Sequence, residues 1–299
     1  MLTSSCRTLA ALVIVVCCLP ASARAPVPTT PDGTIKAAAA AYVEGNLEVL
    51  WQAMPASYQA DVQKLLAACA KKMDAELWEK GSKAAVKLSK VLTEKTDFVV
   101  ATPFVAQLLQ TAAIKPEDAK PVLTSVAGVL TILQSNAATL PQLEKLDVEK
   151  LLVELGPHYR IFFEATLRNA KISQAKTTDF FKNLEVKVVK MEGDRASVEV
   201  TKIDDTKLVV EMVRLEGKWV PKEMADQWSA KIDEAHKAIA AFEIKPEYKQ
   251  QAHKVLDLAD SMFEALLTTR TQREFNALSN GSIAAIMEMI APKANAEPK

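Results

Sequence analysis

Two hydrophobic periodicities divide the chain. From Ile35 to about Ala175 apolar residues recur three and four positions apart, the spacing of one helix face. Between Glu185 and Val220 they alternate with polar residues, the spacing of a strand. The first pattern predicts helices near 35–54, 58–72, 75–94, 103–113, 117–136, 147–155 and 157–172. Their starts are marked by Pro55, Asp74, Thr102 with Pro103, Pro116, Asp147, and Gly156 with Pro157. Proline is tolerated in the first turn, where its missing N–H costs nothing, and acidic or hydroxyl residues cap the free amides there. The connections are short, which favours antiparallel neighbours in a bundle.

The second pattern predicts strands at 185–189 (EVKVV), 195–203 (RASVEVTKI), 207–215 (KLVVEMVRL) and 218–220 (KWV). Glu192-Gly193-Asp194, Asp204-Asp205-Thr206 and Glu216-Gly217 separate them and supply hairpin turns. Ala196, Val198 and Val200 share one face of the second strand, while Ser197, Glu199 and Thr201 share the other. The result is a four-stranded antiparallel meander with one wet face. Pro221 ends the last strand, helices resume near 222–242, 247–271 and 278–291, and 292–299 form a loose tail. The fold class is therefore α+β: mostly helical, with the meander packed against helices. Residues 35–175 make a helical region and 176–291 carry the meander followed by helices, the two expected to form one compact unit.

The N-terminus follows neither pattern. Residues 1–25 read MLTSSCRTLAALVIVVCCLPASARA: a polar start with Arg7, an uncharged run from Leu9 to Leu19, then Pro20 and small residues. That order is a secretory signal peptide, with cleavage expected after Ala23 or Ala25. A retained anchor would need roughly 20 apolar residues, more than this run supplies. Neither Cys17 nor Cys18 follows the small residue that lipidation requires. Residues 26–34, PVPTTPDGT, read as an extended linker. The chain is thus expected to be exported, periplasmic or extracellular. Of the four cysteines, Cys6, Cys17 and Cys18 leave with the signal and Cys69 stays, so no internal disulfide is expected.

Lysine plus arginine number 37 against 37 acidic residues, mixed along the chain, which gives no electrostatic footprint for nucleic acid. There is no GxSxG, HExxH, phosphate-cradling glycine loop, GxGxxG or paired CxxC. No catalytic residue, metal site or cofactor is expected.

The stretch AYVEGNLEVLWQAMPASY (41–58), with QADVQKLLAACAKKMDAELWEK and LPQLEKLDVEKLLVELGP, resembles a group of uncharacterised exported bacterial proteins of the planctomycete type. That likeness covers much of the chain and implies export but no activity. DRASVEV followed by RLEGKWVP is similar to the C-terminal hairpins of NTF2-like (cystatin-like) domains, in which a helix packs on a curved sheet and encloses a pocket. Many helices precede the sheet here and three follow it, so the likeness implies pocket geometry and no catalytic residue.

The densest mixture of aromatic and ionisable groups is His158, Tyr159, Arg160, Phe162, Phe163, Glu164 and Arg168. If its helix crosses the concave face of the sheet, His158, Tyr159, Arg160, Glu164 and Arg168 are the candidate ligand-binding residues. The structural alternative makes the phenylalanines core and Arg160, Glu164 and Arg168 an ion-pair ladder. His253, Asp257, Asp260 and Glu264 share a helix face, read as solvated rather than metal-binding. Asp204 and Asp205 read as turn residues, and Trp51, Trp78 and Trp219 as packing. The uncharged stretches 98–114 and 121–143 read as helices buried on several sides, the alternative being a hairpin that enters a bilayer.

These readings converge on an exported non-enzymatic binding or structural protein, its partner an unknown small molecule or protein. Nucleic acid is excluded, and no stable membrane span is expected after signal cleavage. An enzyme with a pocket between the meander and the 157–172 helix is one alternative. A membrane-active protein using the 98–143 hairpin is the other.

Overall fold

Thr30, Pro31 and Asp32 open the first element. Thr30 is extended, its hydroxyl accepts from the Gly33 amide at 3.2 Å, and Pro31 supplies the fixed φ of a first helical turn. The structure, a computed structural model, describes residues 28–111 and 114–290, so the expected leader at 1–25 and tail at 292–299 lie outside the described residues. Helices α1 (Pro31–Glu44), α2 (Leu47–Ala53), α3 (Ala56–Lys72), α4 (Ala75–Glu94), α5 (Thr96–Val100), α6 (Pro103–Thr111), α7 (Pro116–Ala137), α8 (Leu140–Glu144), α9 (Val148–Asn169) and α10 (Gln174–Lys182) come first. Strands β1 (Val186–Glu192), β2 (Arg195–Thr201), β3 (Lys207–Leu215) and β4 (Lys218–Pro221) follow, then α11 (Lys222–Ala241), α12 (Pro246–Thr268) and α13 (Gln272–Ile290). The fold is mostly helical α+β with a four-stranded antiparallel sheet.

Local chemistry explains where these elements depart from the periodicity. The 35–54 helix starts at Pro31 and breaks at Gly45, whose φ of 81° lets the following amide, that of Asn46, reach back to the Ala41 carbonyl at 2.9 Å. The linker 26–34 is correspondingly shorter, because residues 30–32 carry a capped helix start. The expected break at Gly156-Pro157 is absent. Helix α9 runs through Pro157, held by the buried stripe Leu151, Leu152, Leu155 and Leu167, which offsets a helix-interior proline cost of about 3 kcal/mol. Helices α5, α8 and α10 have no counterpart in the predicted set.

The described chain divides into two units, each built from two stretches: residues 28–72 with 141–242, and 73–140 with 243–290. The composition change near residue 175 therefore falls inside the first unit.

In the first unit the strands pair in chain order, with Val188 opposite Val198 and Val198 opposite Val210. Alternation puts Val186, Ala196, Val198 and Met212 on one face, where Leu184 and Trp219 complete a buried cluster covered by Ile35 and Ala39 of α1 and Phe180 of α10. Burying each valine, leucine or methionine of this set contributes roughly 1.5–3 kcal/mol. The edge strand β1 carries a bulge between Val188 and Lys190 and presents Lys187 and Lys190, features that discourage edge-to-edge pairing. A second cluster joins Leu47 and Trp51 of α2, Val62 of α3, and Val148 and Leu152 of α9. A third packs Leu65 of α3 on Ile232 and Ile239 of α11. Those two helices run in the same direction: the Tyr58 and Trp228 rings stack near their starts, and Lys72 Nζ donates to the Ala240 carbonyl at 2.9 Å near their ends.

In the second unit α4 lies between α7 and α12. Trp78 Nε1 donates to the Ala137 carbonyl at 3.0 Å and Ser89 Oγ to that of Ala127 at 2.9 Å, so α4 and α7 are antiparallel and close. Val91, Leu266 and Phe275 form the buried cluster where α4, α12 and α13 meet, with Phe98 edge-on to Phe275.

Candidate functional site

The candidate residues lie in the second half of α9, whose start is fixed by Asp147: its carboxylate accepts from the Lys150 amide at 2.9 Å. Tyr159 turns inward. Its ring packs on the α2–α3–α9 cluster and meets Tyr42 of α1 at 5.8 Å and Phe163 at 6.0 Å between centroids. Tyr42, 43% exposed, also meets Phe163 at 5.5 Å and Phe181 of α10 at 6.1 Å, an aromatic cluster that ties α1, α9 and α10 together. His158 is half-buried, and burial holds its imidazole below the usual histidine range. Its Nδ1 is enclosed without a hydrogen-bond partner among the described residues.

Arg160 and Glu164 make the first rung of the expected ladder, Arg160 Nε donating to Glu164 Oε1 at 2.9 Å. Arg168 stands exposed near the helix end. Of the five candidates, Arg160 alone lines the open groove that runs along α10, a cavity of about 420 Å³ shared with Gln174, Ala175, Thr178, Asp179 and Lys182. His158 precedes Arg160 by two residues, a turn of about 200°, and so belongs to another face of α9.

The periodicity predicts no element between residues 172 and 185, so the groove residues of α10 are not among the sequence candidates. A signal existed: Ser173 caps the helix by accepting from the Lys176 amide at 3.3 Å, and Phe180-Phe181 supplies its apolar anchor. Successive turns then put Ala175, Thr178 and Lys182 on one face. Both groove cations hold a carboxylate, Lys182 Nζ lying 2.8 Å from Glu44 Oε1 and Arg160 bonding to Glu164. Asp179 Oδ1 accepts from Asn183 Nδ2 at 2.8 Å. The lining therefore offers donors and acceptors of both signs, and it contains neither histidine nor cysteine.

The alternative pocket between the meander and the 157–172 helix needs that helix to lie on the sheet, and a different helix covers it. The apolar face of the sheet is covered by α1 and Phe180, while α9 packs mainly on α2. The helix whose Ile35 and Ala39 reach the sheet is the one with apolar residues four apart at its start, and it takes that place.

The remaining sequence candidates resolve into structural roles. His253, Asp257, Asp260 and Glu264 face α4 as an ion-pair seam: Lys80 Nζ lies 2.8 Å from Asp257, and Lys87 Nζ lies 2.9 Å from Asp260 and 2.8 Å from Glu264. His253 Nδ1 is 3.6 Å from Glu76. Among the described residues no group of three or more histidine, cysteine or acidic side chains is placed to hold a metal ion. Asp204 Oδ1 accepts from both the amide and the hydroxyl of Thr206, which ties up the turn and keeps its carboxyl below the usual range. Trp219 Nε1 donates to the Thr29 carbonyl at 2.9 Å, and Trp51 sits in the second core cluster. Among the described residues no helix is long and apolar enough to cross a membrane.

A polar cluster joins α3, α11 and the β3–β4 turn. Tyr58 and Trp228 stack at 4.0 Å with 6° between their planes, and Trp228 Nε1 donates to Asp61 Oδ2 at 3.1 Å. Hydrogen bonds from Lys64 and then Trp228 hold Asp61 below the usual carboxylate range. Burial, then the charges of Glu216 and Asp61, push the Tyr58 phenol up. Glu216 sits in the β3–β4 turn with φ of 51°, ahead of Gly217 at 79°, and its carboxylate accepts from the Ser57 amide at the start of α3. These partners come from three separated stretches, which spacing along the chain does not bring together.

No protein-family model matches the chain, and no curated protein or solved structure matches it significantly.

Proposed function

We propose that this chain is an exported, non-enzymatic binding protein that uses the α9–α10 groove to hold a small molecule or a partner's side chain. The observation that supports the reading is the groove itself: about 420 Å³, open, and lined by Arg160, Gln174, Thr178, Asp179 and Lys182, a set of hydrogen-bonding groups without a catalytic pair. The N-terminal sequence, with its uncharged run and small residues at Ala21-Ser22-Ala23, supports export.

The test expresses the full chain with its leader, sequences the N-terminus of the exported product, and records native mass spectra of that product and of an Arg160→Ala/Lys182→Ala variant. The expected product begins at Arg24 or Pro26 and carries a mass adduct that the variant lacks. Full-length chain in the cytosol with residues 1–25 attached refutes export. An adduct equally present in both proteins, or absent from both, refutes the groove.

A further inference from the structure

We draw no further inference here: the strongest candidate, the exposed apolar face of helix α6 in the second unit, where Phe104 and Leu108 are each 53% exposed one turn apart, carries nothing because nothing in the structure shows what covers it.

Discussion

Replacing Trp228 tests how α3 and α11 are held together. Its indole contributes in three ways: apolar contact with the Leu47 and Leu65 clusters, a face-to-face stack on Tyr58 at 4.0 Å, and a hydrogen bond to Asp61 at 3.1 Å. Truncating a buried tryptophan costs about 3–5 kcal/mol, and the half-buried position of Trp228 puts Trp228→Ala near the lower end, about 3 kcal/mol. The stack accounts for roughly 0.5–1.5 kcal/mol of that, and the hydrogen bond for about 1 kcal/mol. Trp228→Phe keeps a ring and loses the donor, so its expected cost is about 1–2 kcal/mol. Urea unfolding at neutral pH, followed by far-ultraviolet circular dichroism, measures both variants. A double-mutant cycle with Tyr58→Ala isolates the stack. The same bond has a pH signature. Asp61 is held below its unfolded value, so its contribution is present above the ordinary aspartate pKa of about 3.9 and is lost as pH falls through the folded value. Removing the Trp228 donor narrows that window. A Trp228→Ala protein within 1 kcal/mol of wild type, or a coupling to Tyr58 indistinguishable from zero, refutes the reasoning.

Three further outcomes follow from local geometry. Gly81 lies inside α4 with open space where a Cβ would be, so Gly81→Ala is expected to stabilise by about 0.5–1 kcal/mol; a lower midpoint in urea contradicts this. The same substitution at Gly33 has the opposite sign, because its Cβ would fall 2.6 Å from Thr30 Oγ1 and 2.7 Å from Pro28 Cβ; loss of the cap costs about 1 kcal/mol in the same assay. Burial lowers the His158 pKa below its unfolded value, so stability is full above about 6.5 and falls as pH drops toward the folded value; in unfolding curves at mildly acidic and mildly alkaline pH, His158→Gln should lose that part of the slope.

The meander was legible because strand alternation and turn chemistry agreed. Ala196 and Val198 share one face by period alone, and both are buried in the cluster with Trp219. Helix ends were less legible where two local rules competed. Gly45 sits inside a helical pattern, yet its left-handed φ ends α1. Gly156-Pro157 looks like a stop, yet α9 continues because the leucine stripe on both sides of it is buried. The division into two units was invisible for a different reason. The chain leaves the first unit after Lys72, returns at Pro141 and leaves again after Phe242, and no change in composition accompanies those crossings.

The candidate site shows the same limit at the level of side chains. One-dimensional density of aromatic and ionisable residues singles out α9, and one of its residues, Arg160, lines a groove. It could not distinguish the faces of that helix, so it grouped Tyr159, which packs inward, with Arg160, which opens to solvent. A helical face is shared by residues three and four apart, whereas a run of consecutive residues samples every face. The residues that complete the groove, Thr178 and Lys182, are four apart on α10 and chemically ordinary. They come into play only once Phe180 is anchored on the sheet and Phe181 on Tyr42, which turns the remaining face of α10 toward Arg160. The shape of this groove is therefore a property of how three helices are fastened by aromatic contacts. A ligand-contact substitution such as Lys182→Ala and an anchor substitution such as Phe181→Ala should then separate: the first alters occupancy with little change in stability, the second lowers both.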